Sequence, residues 1–216
     1  MGLQGIFSPL SRFWFDAKAI GSSKMKYIHI DQFDEQAFVD FDGSEVVVSA
    51  EFVMFWKPPN PFGQWTISPF EIDGLNYVCA EQYMMAEKAR LFGDENTLEM
   101  ILETDVPATQ KALGRQVEGF SKAIWVDDED TENGQPYCWD VVWRGNMAKF
   151  RQNDHLFDEL LATDGTTIVE ASPEDPIWGI GLAEGDPGCY SRETWQGLNW
   201  LGEILTSVRE HLKHEV

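Results

Sequence analysis

Strand signals in this chain gather ahead of Tyr77 and helix signals follow it, and that segregation most restricts the folds open to it. The segment EVVVSAEFVMF, Glu45 to Phe55, is dense in β-branched and aromatic residues and predicts one strand. YIHI, Tyr27 to Ile30, predicts a shorter one, with an acidic connection between the two. KPPNPFGQW, Lys57 to Trp65, is a loop punctuated by Pro and Gly. In SPFEIDGLNY the Asp73-Gly74 pair marks a turn between two short strand-like pieces. Beyond it the pattern predicts helices over Ala80 to Phe92, Glu95 to Glu103, Ala108 to Gly114, Trp139 to Gln152 and His155 to Thr163. A short strand follows at Thr167 to Glu170, then a Gly/Pro-rich loop from Asp175 to Gly188. The last helix is expected from about Glu193 to Lys213, where Leu198, Leu201, Leu205, Val208 and Leu212 form one buried stripe. The expected fold is α+β and mainly helical, with a small sheet and a long C-terminal helix.

Nine tryptophans and fourteen phenylalanines need a core to hide in, and 43% apolar residues over 216 positions can build one. Charge narrows the partners. Sixteen basic against 37 acidic residues give −21, the wrong sign for a general binder of phosphate backbones. A small anionic substrate stays compatible, because a few local cations override the global field at short range. Cys79, Cys138 and Cys189 are far apart and odd in number, with no Cys/His metal spacing, so neither a disulfide framework nor a metal site is expected. A reducing cytoplasm fits that usage. The N-terminus MGLQGIFSPLSRFWFDAKAI lacks a basic region ahead of an apolar one, and no stretch reaches membrane-spanning length. The Gly-rich dinucleotide, Walker, GxSxG and HExxH patterns are absent, and no cofactor is called for. The acidic run DDEDTENGQ, Asp127 to Gln135, reads as a solvated loop. Oligomeric state is not legible.

Three constellations offer chemistry. In AEQYMMAEKARLFG, Glu81 and Lys88 are seven residues apart, which puts them on one helical face roughly 10 Å apart along the axis. A carboxylate and an amine so placed could flank a small ligand; a solvent-facing charged stripe, with surface pairs such as Glu87 and Arg90, is the commoner meaning of the pattern. In EASPEDPIWGIGL, Glu170 to Leu182, Asp175 precedes Pro176 and is pushed toward extended geometry. There Trp178 beside Gly179 places an aromatic face next to a backbone that a ligand could approach closely. A core tryptophan with a turn glycine explains the same residues equally well. In RGNMAKFRQN, Asn146, Lys149 and Asn153 share a helical face opposite Trp143, Met147 and Phe150. The amides could read a base and Lys149 a phosphate, or the helix is simply amphipathic.

Taken in order, SPFEIDGLNYVCAEQYMMAEKARLFGD, ALGRQVEGF, MAKFRQN, LLAT, IVEASPEDPIWGIG and WQGLNWLGEILTSVR resemble the successive blocks of the YbiA/NADAR family, across about Phe52 to Leu212. The resemblance implies a YbiA-like domain over 51–213, preceded by an extension with short strands over 1–50. It also implies hydrolysis of a bond between ribose C1′ and a nitrogen: that of ribosylaminopyrimidine phosphate intermediates of riboflavin synthesis, or that joining ADP-ribose to guanine. Carried over residue by residue, it points to Glu81, Lys88 and Asp175 as catalytic groups. Trp178, Gly179, Asn146, Lys149, Gln152, Asn153 and Glu170 fall in matching blocks as substrate contacts. Where many members carry S-N-F/Y, this chain reads Gly63-Gln64-Trp65. Gln64 and Trp65 are therefore the positions at which substrate preference would diverge.

Cleaving a ribosyl C–N bond passes through an oxocarbenium-like state, so negative charge near C1′ and a proton for the departing nitrogen are needed. Glu81 is the first candidate for activating water or stabilising the cation, with Asp175 as the alternate carboxylate. Lys88, if desolvated, would donate a proton or attack an opened sugar as a Schiff-base nucleophile. Trp178 would stack on the base. Two other classes compete: a non-catalytic sensor of ADP-ribose or a nucleotide, and an interaction protein docking through the aromatic segment Met1 to Lys24.

Overall fold

The computed structural model describes residues 37–41, 44–48, 51–127 and 134–215. The expected strand at Tyr27 to Ile30, the segment Met1 to Lys24 and most of the acidic loop Asp127 to Gln135 lie outside them. The architecture is α+β and mainly helical.

A four-stranded sheet has β1 (Ala37–Phe41), β2 (Ser44–Val48), β3 (Phe52–Phe55) and β6 (Thr167–Glu170) in that order. The first three strands are antiparallel and β6 is parallel to β3, with Phe55 opposite Glu170. The single strand expected from Glu45 to Phe55 is therefore two. Val48 pairs with Val53, and the poor strand formers Ala50 and Glu51 separate two valine- and phenylalanine-rich runs. The expected acidic connection holds β1, whose AFVDF core outweighs its acidic neighbours. A separate hairpin joins β4 (Phe70–Ile72) to β5 (Leu75–Tyr77), and both turn residues, Asp73 and Gly74, have positive φ. That is the hairpin turn which the Asp-Gly pair predicts.

Strands β3 and β6 are buried on both faces and divide the core by their period of two. Val53, Phe55 and Ile168 face the main cluster, shared with the helices. Phe52, Met54 and Val169 face a smaller one with Ile180, Leu182 and Cys189. All three cysteines are buried and free.

Helices α1 (Ala80–Phe92), α2 (Glu95–Glu103) and α3 (Pro107–Gly114) follow the hairpin at nearly the expected limits. A one-turn helix α4 (Lys122–Trp125), which the pattern gave no sign of, precedes α5 (Tyr137–Arg151) and α6 (Asp154–Ala162). The last helix, α7, spans Trp200–Lys213 and starts seven residues later than expected, behind two short 3-10 turns at Pro187–Tyr190 and Arg192–Thr194. Asn199 sets the start: its φ of 54° is left-handed and cannot continue a helix backwards. Leu198 accordingly leaves the expected stripe and is 57% exposed, while Leu201, Leu205, Val208 and Leu212 are buried.

Helix α7 lies tight against β6. A Cβ on Gly202 would sit 2.1 Å from the Ile168 carbonyl oxygen, so only glycine allows this approach. Further along, the buried Arg209 guanidinium donates to Thr163 Oγ1 at 2.9 Å and the Thr166 carbonyl at 2.7 Å. It thereby ties the α6–β6 connection to α7. No helix among the described residues is long and apolar enough to cross a membrane.

Alanine at position 202 gains about 1 kcal/mol of helix propensity but drives a methyl group into backbone, an overpacking cost of about 2–3 kcal/mol. The clash should win. Gly202→Ala is expected to lower the urea midpoint with the slope unchanged; a midpoint equal to wild type would show that α7 can move off β6 freely.

Candidate active site

Glu81 occupies the first turn of α1, and its backbone N–H donates to the Gln64 carbonyl at 3.0 Å. This bond stitches the 57–65 loop to the helix start. The side chain is only 5% exposed, so the solvent-facing reading of this helix face does not hold. Burial pushes its carboxyl upward; Lys111, the Trp65 indole N–H and Arg115 pull the other way, and Asp175 adds to the rise.

Glu170 ends β6. Its backbone N–H donates to Asn199 Oδ1 at 3.0 Å, and its carbonyl accepts from Ile180 N at 2.9 Å. Desolvation first, then the Asp175 charge, push its carboxyl up to about 8 against the pull of Lys111, and Glu81 adds to the rise. Its Oε2 is buried without a hydrogen-bond partner. A group in that state holds a proton at neutral pH and can donate it.

Asp175 is placed by its own turn, with Oδ1 accepting from Ile177 N at 3.0 Å and Trp178 N at 2.9 Å. Its charge acts on both glutamates. Three carboxyl groups from α1, β6 and the following loop thus fall within electrostatic reach of one another, 94 residues apart at the extremes of sequence (81 and 175).

Lys88 is 8% exposed, donates from Nζ to the Gly114 carbonyl at 2.7 Å and lies 3.9 Å from the Phe120 ring centroid. Burial lowers its pKa, with Glu81 opposing and Arg115 assisting. Helix α3 packs closely here: a Cβ on Gly114 would sit 2.0 Å from Met85 Sδ, and this brings the Gly114 carbonyl to the amine. Trp65 reaches Glu81 through its indole and has the Lys111 ammonium 5.7 Å from its ring centroid. Trp178 is half-buried and packs edge-to-face on Trp200, with centroids 5.8 Å apart.

Other expected contacts are occupied by the protein itself. A Cβ on Gly179 would meet the Glu170 carbonyl and Ser172 Cβ, each at 2.8 Å, so the glycine serves its own chain rather than an approaching ligand. Lys149 is fully buried and donates to the Pro61 carbonyl at 2.7 Å and the Gly63 carbonyl at 3.0 Å, an arrangement that leaves no phosphate contact. Gln152 exchanges both its amide groups with the backbone of Glu71, and Asn153 donates to the Pro69 and Lys149 carbonyls. The polar face of α5 is therefore a clamp on residues 61–71. Asn146, also fully buried, holds Gln64.

Sequence reasoning passed over Lys111 and Arg115. They are four apart at the end of α3, one turn of helix, and both act on the Glu81 carboxyl. Arg115 lies within ALGRQVEGF and Lys111 directly precedes it, and that placement on either side of Gly114 was the available signal. Two surface grooves lie elsewhere: one of about 370 Å³ around Gly93 and Gly119, another of about 440 Å³ along Glu71, Trp143 and Arg151. Among the described residues no group of three or more His, Cys, Asp or Glu has the arrangement of a metal site.

The family model of the NADAR domain matches residues 52–213. A protein of Acanthamoeba polyphaga mimivirus named N-glycosidase R617 is 42% identical over 154 residues, covering 69% of this chain and 85% of that protein. Protein irg-1 of Caenorhabditis elegans is 40% identical over 175 residues, covering 74% of this chain and 79% of its own length. The NMR structure of the E. coli protein YbiA matches with a TM-score of 0.58 at 25% identity, over 78% of this chain and 88% of that one. The match runs from β3 to the end of α7 and takes in every carboxylate and cation of the cluster: the chain belongs to the NADAR domain family.

Proposed function

We propose that this family member, a hydrolase of N-glycosyl bonds, cleaves the ribose C1′–nitrogen bond of a ribosylaminopyrimidine phosphate of the kind formed in riboflavin synthesis. The observation that carries the reading is a group of three carboxyls within electrostatic reach of one another, two of them glutamates that burial pushes upward. As the C–N bond breaks, positive charge spreads over C1′ and the ring oxygen, and the nitrogen gathers the bonding pair. Protonated Glu170 gives that nitrogen its proton. Glu81 removes a proton from the water that adds to C1′, its carboxylate steadied by the Trp65 N–H and by Lys111. Asp175, locked by two backbone N–H groups, contributes fixed negative charge and keeps Glu170 protonated. Lys88, whose pKa burial lowers, is the amine that would condense with the aldehyde of an opened sugar, releasing water and leaving a Schiff base, if that route operates.

Glu81→Gln and Lys88→Ala should each lower kcat by about 10²–10⁴ with circular dichroism unchanged. Full turnover in both variants ends the assignment. Borohydride should trap a sugar adduct on Lys88 if the Schiff-base route operates, and a clean peptide map removes it. Parallel turnover of ADP-ribosylated guanosine decides between the two substrate classes: faster cleavage of that compound than of the aminopyrimidine transfers the assignment.

The Glu170 carboxyl sits near 8 in the folded chain against an ordinary 4.5. Its folded pKa is the higher one, so its contribution to stability is complete below about 4.5 and is lost as pH rises through 8. Glu170→Gln should therefore flatten the decline in unfolding free energy across that window, and wild-type turnover should fall above about pH 8. An identical stability slope in the two proteins refutes the protonated carboxyl.

A further inference from the structure

The orientation of one carboxamide is dictated by a chain of hydrogen bonds that starts in the α5 backbone. Asn146 Nδ2 donates to the Val142 carbonyl, one turn back, at 2.8 Å. Its Oδ1 must then be the atom that faces the 57–65 loop. An oxygen there demands a donor, so Gln64 presents Nε2 to it, at 3.1 Å. With the nitrogen so engaged, Gln64 Oε1 is turned away from Asn146, and it is buried with no donor from the protein. The carbonyls on either side of it are already engaged. Lys149 holds the carbonyls of Pro61 and Gly63, and the Gln64 carbonyl itself is bonded to Glu81 N.

A buried acceptor left without a donor is costly enough that such atoms are rare in folded proteins. This one stands in the loop segment that delivers Trp65 to the Glu81 carboxyl. We infer that Gln64 is a specificity-determining residue whose carboxamide oxygen accepts an N–H from the base of the substrate. The inference rests on the N-glycosidase reading above and adds to it the chemical class of base: one that carries an N–H donor beside its glycosidic nitrogen, as an aminopyrimidine does. Bases alkylated at the donor nitrogen leave Oε1 unmatched and are rejected.

The test uses the full chain and pairs of N-ribosides that differ only in N–H against N-methyl on the base, one pair of ribosylaminopyrimidine phosphates and one of ADP-ribosylated guanosines. Wild-type kcat/KM should favour the N–H member by about tenfold or more. Gln64→Met keeps the length of the side chain and removes the acceptor; it should bring the ratio to near one by lowering turnover of the N–H member alone. The ratio is taken within each protein, so a general loss of stability does not imitate the effect. Gln64→Asn, which keeps the amide but withdraws it, should also shrink the ratio and serves if Gln64→Met does not fold. Equal turnover of both members by wild type, or an undiminished ratio in the variants, overturns the role of Gln64 and leaves the N-glycosidase reading in place. Absence of turnover with every member overturns both.

Discussion

The outer edge of β6 is closed by side chains in place of another strand, and the candidate site hangs from that closure. Asn199 accepts from Glu170 N and donates to the Ile168 carbonyl, each at 3.0 Å, as a neighbouring strand would do. Thr206 takes the Ile168 N–H at 3.0 Å from two turns further along α7. These bonds require α7 to cross β6 closely, which Gly202 permits, and require Asn199 to adopt the left-handed conformation that delays the helix. The result is that the last residue of β6 is fixed from both sides. Phe55 pairs with it across the sheet, and Asn199 holds it from the helix. The chain then turns back so that Ile180 N bonds the Glu170 carbonyl, which carries Asp175 to the same place.

Gathering three acids in a chain of net charge −21 is electrostatically uphill, and each acid is accommodated differently. Glu170 keeps its proton. Glu81 receives an indole N–H and the nearby charge of Lys111 and Arg115. Asp175 stays at the surface side of the group, half-buried and hydrogen-bonded by its own turn. Burial raises both glutamates, and more groups oppose that rise at Glu81 (Lys111, the Trp65 indole and Arg115) than at Glu170, where Lys111 alone does so.

Much of this was legible in the sequence where local chemistry decides the outcome. Helix α1 ends where Gly93 takes a left-handed φ of 72°, and the β4–β5 turn follows from Asp73-Gly74. Both are short-range signals. The reading faltered where long-range pairing overrides local pattern: the split of Glu45–Phe55 into two strands, and the late start of α7. It faltered also over polar residues. Glu81 and Lys88 on one face looked like an exposed stripe, because helical spacing shows which residues share a face but not which way it points. Gln152 and Lys149 looked like ligand contacts because their real partners are backbone groups about 80 residues away in sequence. Carbonyl partners of that kind leave no trace in a side-chain pattern.

Those carbonyl partners explain how the cations divide their work. Lys88, Lys149 and Arg209 are all buried, and each is hydrogen-bonded to loop or helix-end carbonyls: Gly114, Pro61 and Gly63, Thr163 and Thr166. A carbonyl satisfies an N–H without neutralising its charge, so burial is free to lower the lysines, and Lys149 comes down to about 7. Losing that proton does not break its clamp, since a neutral amine retains two N–H donors and the loop asks for two. Arg209, with the several donors of its planar fork, ties the Thr163 and Thr166 carbonyls to α7. Lys88 still feels the Glu81 charge, and Lys111 and Arg115 act on Glu81 from the end of a short helix packed closely on α1 at Gly114. Buried lysine and arginine held by carbonyls thus stabilise loops, while the two cations at the end of α3 act on the buried acids.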